Sequence, residues 1–370
     1  MILKRLSILN YRNLRAVDLQ FSPNVNCLVG SNGMGKSNVL DAIHYLAFCR
    51  GFASAQDSLN VFHEADSFFL DSIFERETGV PLQVCCALKR GGRKRLKENG
   101  KDVKRLSEHV GRIPLVMIAA TDSELITGGS DARRHFMDVV IMQYNSSYLE
   151  ALMRYERALK QRNALLKQEN APEDAVMEVL EEMMSDAASV IYRERQAFVA
   201  DFQPLFEDLY GRLSGKEGEL VEVTYDSHSS RGELKPLLAG WRERERIVGY
   251  TLHGPHKDDL LFTLGGYGVK REASQGQQKT FFIALKLAQY TFLRQKGEQR
   301  SPLLLLDDIF DKLDADRVAN IVQYVSSAEF GQIFITDTSR DHLNGILSAS
   351  KRSFKLFEVE NGEVRSLEVL

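Results

Sequence analysis

Gly30-Ser31-Asn32-Gly33-Met34-Gly35-Lys36-Ser37 has the spacing G-x-x-x-x-G-K-[ST], and each residue type in it suits the holding of a phosphate chain. Glycines let backbone N–H groups turn inward on an anion, and a helix opening at the end of the loop adds a favourable dipole. Lys36 is spaced to reach β- and γ-phosphates, and Ser37 to ligate Mg²⁺. A second chemical group stands far along the chain, where Asp307-Asp308 ends the apolar run Pro302-Leu303-Leu304-Leu305-Leu306. Asp307 suits a magnesium ion and its water, and Asp308 suits orienting or deprotonating an attacking water. A third is Ser274-Gln275-Gly276-Gln277. Its spacing is that of a helix capping box, and a serine at a helix start serves a γ-phosphate equally well.

These groups act together only if strands and helices bring them to one place. Val25-Asn26-Cys27-Leu28-Val29 reads as a buried parallel strand, and Val39, Leu40, Ile43, Leu46 and Ala47 recur at helical spacing after the loop. Strand, glycine loop and helix is the context that separates a phosphate cradle from a chance pattern. The acidic pair at the carboxyl end of a second buried strand belongs beside that loop, since open α/β sheets bind ligands there. Behind Ser274, Phe281, Ala284, Leu285, Ala288 and Phe292 form the inner face of a helix. More than half the chain separates Ser37 from Ser274.

That order resembles the SMC/Rad50/RecF branch of ABC-type ATPases, with Walker A near one end and signature and Walker B near the other. Within the branch the chain resembles the RecF family of bacterial recombination and DNA-repair proteins over nearly its whole length. The resemblance rests on Leu9-Asn10-Tyr11-Arg12-Asn13-Leu14, on Asn32 through Ile43, and on Arg50-Gly51-Phe52. Leu125 through Asp138, Gly254-Pro255-His256-Lys257-Asp258-Asp259-Leu260 and Ser274 through Thr280 complete it. It implies an α/β fold: an ABC-type P-loop ATPase head formed from both chain ends, with an inserted, mainly helical second lobe. It further implies an ATP- and Mg-dependent homodimer in which Ser274 of one copy completes the site of the other. On this basis Arg12, Asn13, Gly276 and Gln277 join residues 30–37 and Ser274 in nucleotide binding, and Lys36, Ser274, Asp307 and Asp308 serve catalysis. The implied work is an ATP-gated clamp on double-stranded DNA and single-strand/double-strand junctions. It would act with RecR and RecO to help RecA replace single-strand-binding protein at gaps and stalled forks, as a weak, DNA-stimulated ATPase.

Departures bear on this. Asp311-Lys312-Leu313-Asp314 stands where many family members have S-E-L-D, and Ala119-Ala120-Thr121-Asp122 replaces the usual [FH]-x-P-E. Thr336-Asp337-Thr338 stands where ABC enzymes carry a switch histidine. Asp308 replaces the glutamate usual in ABC enzymes but agrees with the RecF family; one methylene shorter, it aligns water less easily, which suits a timer more than a motor. A Rad50-like scaffold for a nuclease and an ABC transport ATPase are the alternatives. The four cysteines (Cys27, Cys49, Cys85, Cys86) lack the C-x-x-C spacing of a zinc hook, the insert is short, and a transporter needs its signature much nearer Walker A.

At 370 residues with a net charge of −3, the chain suits two structural units of a soluble, cytoplasmic protein with reduced cysteines. It has no run of apolar residues long enough to span a bilayer, so no membrane is expected, and Met1-Ile2-Leu3-Lys4-Arg5 reads as an alternating strand instead of a signal peptide. A DNA surface must therefore be local. The segment 89–105 is dense in cations around the turn signal Asn99-Gly100, and Lys94, Arg95, Lys97, Lys101 and Lys104 are its candidates for phosphate contact; a solvated hairpin is the alternative. Arg133 and Arg134 are weaker candidates, suited also to a helix junction. Boundaries are expected at 1–125 and 217–370 for the head and 126–216 for the helical insert. In the insert, helical stretches 146–166 and 176–206 flank Asn170-Ala171-Pro172, with a less regular return over 201–218; after it come strand alternation at Val221–Tyr225 and a charged helix face at Trp241–Arg246.

Overall fold

The computed structural model describes residues 1–54, 56–170, 172–215, 219–297, 301–309, 321, 324–325, 329–338 and 353–367. Asp311, Lys312, Leu313 and Asp314 lie outside the described residues. Contacts divide the chain into a unit of Met1–Asp122 with Lys286–Leu370 and a unit of Ser123–Leu285. The N- and C-terminal segments thus share one head, as expected from the separation of the motifs. The second unit reaches Leu285, well past the expected return at residue 217. The reason is local pairing: strands Val221–Asp226 and Asp259–Leu264 pair antiparallel with each other, and Phe281 packs against both Phe206 and Phe262.

Among its described residues the head contains two six-stranded sheets. One runs, in spatial order, Glu363–Leu367, Phe354–Glu360, Val25–Val29, Ile333–Asp337, Leu303–Asp307 and Leu115–Ala119. Its pairs are parallel except the first. Strands covered on both faces read as unbroken apolar runs, and every residue of Val25–Val29 is buried. The register sets Asp307 level with Thr336 on one side and Ala119 on the other, and Val29 level with Asp337. Four carboxyl ends therefore finish at one edge of the sheet.

The second sheet is antiparallel, in the order Leu14–Gln20, Ile2–Tyr11, Ser67–Glu75, Pro81–Lys89, Arg95–Glu98 and Lys101–Asp102. Its inner residues alternate with exposed ones and join the first sheet in one core around the helix Lys36–Phe48. That helix buries Val39, Leu40, Ala42, Ile43, Tyr45, Leu46 and Ala47, which leaves no solvent face of any width. Held by packing all round, it fixes the position of its own N-terminus.

In the second unit, helices Ser146–Leu166 and Asp174–Ser214 pack together. The latter continues through Pro204 to Ser214, where a less regular return was expected. Proline removes one helix hydrogen bond, at a cost of about 3 kcal/mol. Burial of Phe198, Phe202, Phe206, Tyr210 and Leu213 along one face offsets it. The charged stretch at Trp241 also departs from expectation. Glu245 is fully buried, where it accepts from Arg162 Nη1 (2.5 Å), while Arg242 pairs with Glu181. Among the described residues no helix is long and apolar enough to cross a membrane.

His256 gives this unit a pH dependence. Its Nε2–H donates to Thr251 O (3.0 Å), leaving Nδ1 to accept the Tyr155 hydroxyl (2.7 Å). Burial, aided by the nearby cations Lys257 and Arg134, lowers its pKa from 6.5 to about 4, against the Thr251 hydrogen bond. The unfolded chain then binds more protons between those values, so stability falls as pH drops from 6.5 towards 4. The loss amounts to about 3 kcal/mol. Thermal melting across that range should show it, and His256→Gln should flatten this part of the curve; an unchanged slope in the variant would place the acid sensitivity elsewhere.

Candidate nucleotide-binding site

The glycine loop leaves Val29 and enters the buried helix at Lys36. Gly35, the residue before the helix, has φ +118°, and a Cβ there would stand 2.7 Å from Asn13 Oδ1. At Gly30 a Cβ would come within 2.2 Å of Val359 O. Only glycine fits at either place. The loop is braced from both chain ends: Asn13 Nδ2 donates to Met34 O (3.1 Å), and Gly362 N–H donates to the same carbonyl (2.9 Å). Asn38 Nδ2 in turn donates to Asn13 Oδ1 (2.7 Å). Ser31, Asn32 and Gly33 are exposed along the outside of the loop.

Lys36 is 5% exposed, and its Nζ donates to Gly30 O (2.6 Å) and Ser31 O (3.1 Å), so the ammonium lies over the loop. Ser37 Oγ donates to Asp307 Oδ1 (2.8 Å) across 270 residues of sequence. This contact joins the two halves of the expected site. Asp308, next on the chain, has φ +54°. Its N–H donates to Thr336 Oγ1 (3.0 Å), and that hydroxyl donates to Asp307 Oδ1 (2.7 Å).

Arg12 lies with Nε 2.8 Å from Asp41 Oδ2. Asp41 also accepts from the Tyr11 hydroxyl (2.5 Å) and the Phe52 N–H (2.6 Å), which ties the segment after Leu9 to the loop helix. Of the Arg12 guanidinium, Nη2 is buried with no hydrogen-bond acceptor among the described residues. A buried guanidinium nitrogen in want of an acceptor, a cradle that a Cβ would fill, and a serine beside a carboxylate fit a triphosphate with magnesium. Ser37 and Asp307 would hold such an ion.

Ser274, Gly276 and Gln277 belong to the second unit. Ser274 and Gln277 form the full capping box: Gln277 N–H donates to Ser274 Oγ (3.2 Å) and Ser274 N–H to Gln277 Oε1 (3.0 Å), with Ser274 exposed. Asn99 and Gly100, at φ +46° and +78°, make the expected tight hairpin turn. Arg95, Lys97, Lys101 and Lys104 are exposed on and beside it. Lys94 is not. Its Nζ donates to Cys49 O (2.5 Å) and Asp57 Oδ1 (3.0 Å) and sits 5.3 Å from the Tyr45 ring centre, so it is a strut of the head and drops out as a phosphate contact. Arg133 makes a two-point pair with Asp259 (2.7 and 2.9 Å), and Arg134 Nη1 donates to Asp258 O (2.6 Å); both serve the helix junction.

Three residues near the loop carry more than sequence reasoning assigned them: Asp41, Asp122 and Thr336. Asp122 is partly buried, 3.9 Å from Lys286 Nζ. Burial pushes its pKa up, with the charge of Asp307 adding to the shift and Lys286 opposing it. Only for Thr336 was there a signal, a hydroxyl closing the apolar run Ile333-Phe334-Ile335 level with the acidic pair.

The RecF/RecN/SMC N terminal domain family model matches residues 2–365. The DNA replication and repair protein RecF of Phocaeicola vulgatus is 53% identical over 364 residues, covering 98% of each chain. The chain belongs to the RecF family. A second member, the DNA replication and repair protein RecF of Bacteroides thetaiotaomicron, is 50% identical over 367 residues, 99% of each chain. The solved structure of the recombination mediator protein RecF-ATP in the RecFOR pathway is 27% identical with a TM-score of 0.88, over 99% of this chain and 98% of that one. The Smc head domain of Pyrococcus furiosus, 17% identical with a TM-score of 0.57 over 99% and 96% of the two chains, shares the fold. This RecF-family head is thus an ABC-type ATPase head.

Proposed function

We propose that the chain is an ATP-driven switch of DNA replication and repair. It binds MgATP between the glycine loop and Asp307, closes with a second copy through the Ser274 segment, and grips double-stranded DNA. Hydrolysis is slow, is stimulated by DNA and releases the grip. The site of action is the single-strand/double-strand junction at a gap, where with RecR and RecO it helps RecA displace single-strand-binding protein. The observation that carries the nucleotide part is the 2.8 Å contact between Ser37 Oγ and Asp307 Oδ1, because it assembles the magnesium-binding pair from opposite ends of the sequence. The names of the RecF relatives and the RecF-ATP structure support the repair role. The exposed cations Arg95, Lys97, Lys101 and Lys104 support contact with a phosphate backbone.

Sedimentation with duplex DNA over a salt titration, with and without a non-hydrolysable ATP analogue, tests this reading. The analogue should convert monomers to dimers and tighten DNA binding, since two hairpins then act together. Replacing the four exposed cations with alanine should reduce the slope of log affinity against log salt by about 3 to 4 units if each meets a phosphate. An unchanged slope would move the DNA to another surface, and monomers in the presence of the analogue would end the clamp model.

A further inference from the structure

Thr336 is wholly buried in the head sheet, paired with Leu28 on one side and Asp307 on the other. A strand continuing Ile333-Phe334-Ile335 has no packing need of a hydroxyl there; valine would fill the same space. The hydroxyl is used twice. Asp308 N–H can only donate, so Thr336 Oγ1 accepts from it at 3.0 Å; the Asp307 carboxylate can only accept, so Oγ1 spends its single proton on Asp307 Oδ1 at 2.7 Å. The proton's direction is therefore fixed by the partners. One bond orients the carboxylate that also receives Ser37 Oγ (2.8 Å). The other holds the backbone of Asp308 in the left-handed region, at φ +54°, where a residue with a side chain stays only if its surroundings fix it.

We propose that Thr336 is a positioning residue for hydrolysis, setting Asp307 for the magnesium ion and Asp308 for the attacking water through one shared hydroxyl. The assignment rests on the ATPase reading above. It explains how a chain with Thr336-Asp337-Thr338 in place of a switch histidine still has a side chain from that strand acting at the site. Thr336 itself touches neither nucleotide nor water in this role; it acts through the two acids.

Thr336→Val and Thr336→Ser test it in the full chain. Three quantities are measured: ATP turnover, the Mg²⁺ dependence of binding a fluorescent non-hydrolysable ATP analogue, and thermal melting. In Thr336→Val, turnover number should fall roughly tenfold or more, the scale of a hydrogen bond to a charged group. More Mg²⁺ should be needed for half-maximal analogue binding, while analogue binding without Mg²⁺ holds and the melting temperature falls by only a few degrees, the scale of one unpaired N–H. Thr336→Ser, which keeps the hydroxyl, should recover most of the turnover and the Mg²⁺ response. Unmodified turnover and Mg²⁺ response in Thr336→Val, or equal damage in the serine variant, would overturn the role. A loss of Mg²⁺-free binding together with a larger fall in melting temperature would make the residue structural and overturn it too. No turnover by the unmodified chain would overturn the ATPase reading itself and this role with it.

Discussion

Asp308→Asn should slow ATP hydrolysis by about 100-fold or more, the usual scale for removing a general base, while ATP-bound dimers accumulate. The two acids are held differently, and the proposed roles follow from that. Asp307 Oδ1 accepts from both Ser37 and Thr336, which commits that carboxylate to the loop. Asp308 is anchored by its backbone N–H and follows in a left-handed turn. Asparagine tolerates that backbone conformation better than most residues, so the substitution removes the carboxylate without straining the turn. Asp307→Asn should behave differently: Mg²⁺-dependent nucleotide binding weakens first, and slower hydrolysis follows from it. Single-turnover hydrolysis and equilibrium binding on both variants separate the two. Equal defects in binding and turnover at both positions would undo the division of roles.

Much of the head was legible because its signals are local. An apolar strand, a glycine loop and a helical apolar pattern announce Val25 through Phe48, and four leucines before an acidic pair announce Leu303–Asp307. Asn99-Gly100 likewise gave the hairpin, since the turn type needs those residues. What periodicity could not show were pairings made across the chain. Lys94 has the composition of an exposed cation but reaches the Cys49 carbonyl and Asp57, 45 and 37 residues away. The less regular return expected over 201–218 is instead continuous helix, and the aromatic packing along that helix explains its continuation through Pro204. The extent of the second unit depends on strands that pair with each other instead of with the head sheets, a choice invisible in either strand alone. Thr336 shows its task only when its strand lies beside that of Asp307.

The second large effect concerns Lys36. Its Nζ lies against the carbonyls of Gly30 and Ser31, near-buried on a loop fixed by Asn13 and Gly362. A cation already held over the cradle loses little freedom when a phosphate chain arrives, so its charge acts almost in full. Lys36→Met keeps most of the side chain's length and its apolar stem, and the surrounding core does not depend on the charge. The variant should therefore fold as before yet bind ATP roughly 100-fold more weakly, the upper range for a hydrogen bond to a charged group. Calorimetric titration of ATP into the unmodified chain and into Lys36→Met, each with and without Mg²⁺, measures whether residues 30–37 and Asp307 form one site. The predicted result is saturable binding that Mg²⁺ strengthens in the unmodified chain and that is all but lost in the variant. Equal affinity in both proteins, or binding by the unmodified chain that is indifferent to Mg²⁺, would contradict it.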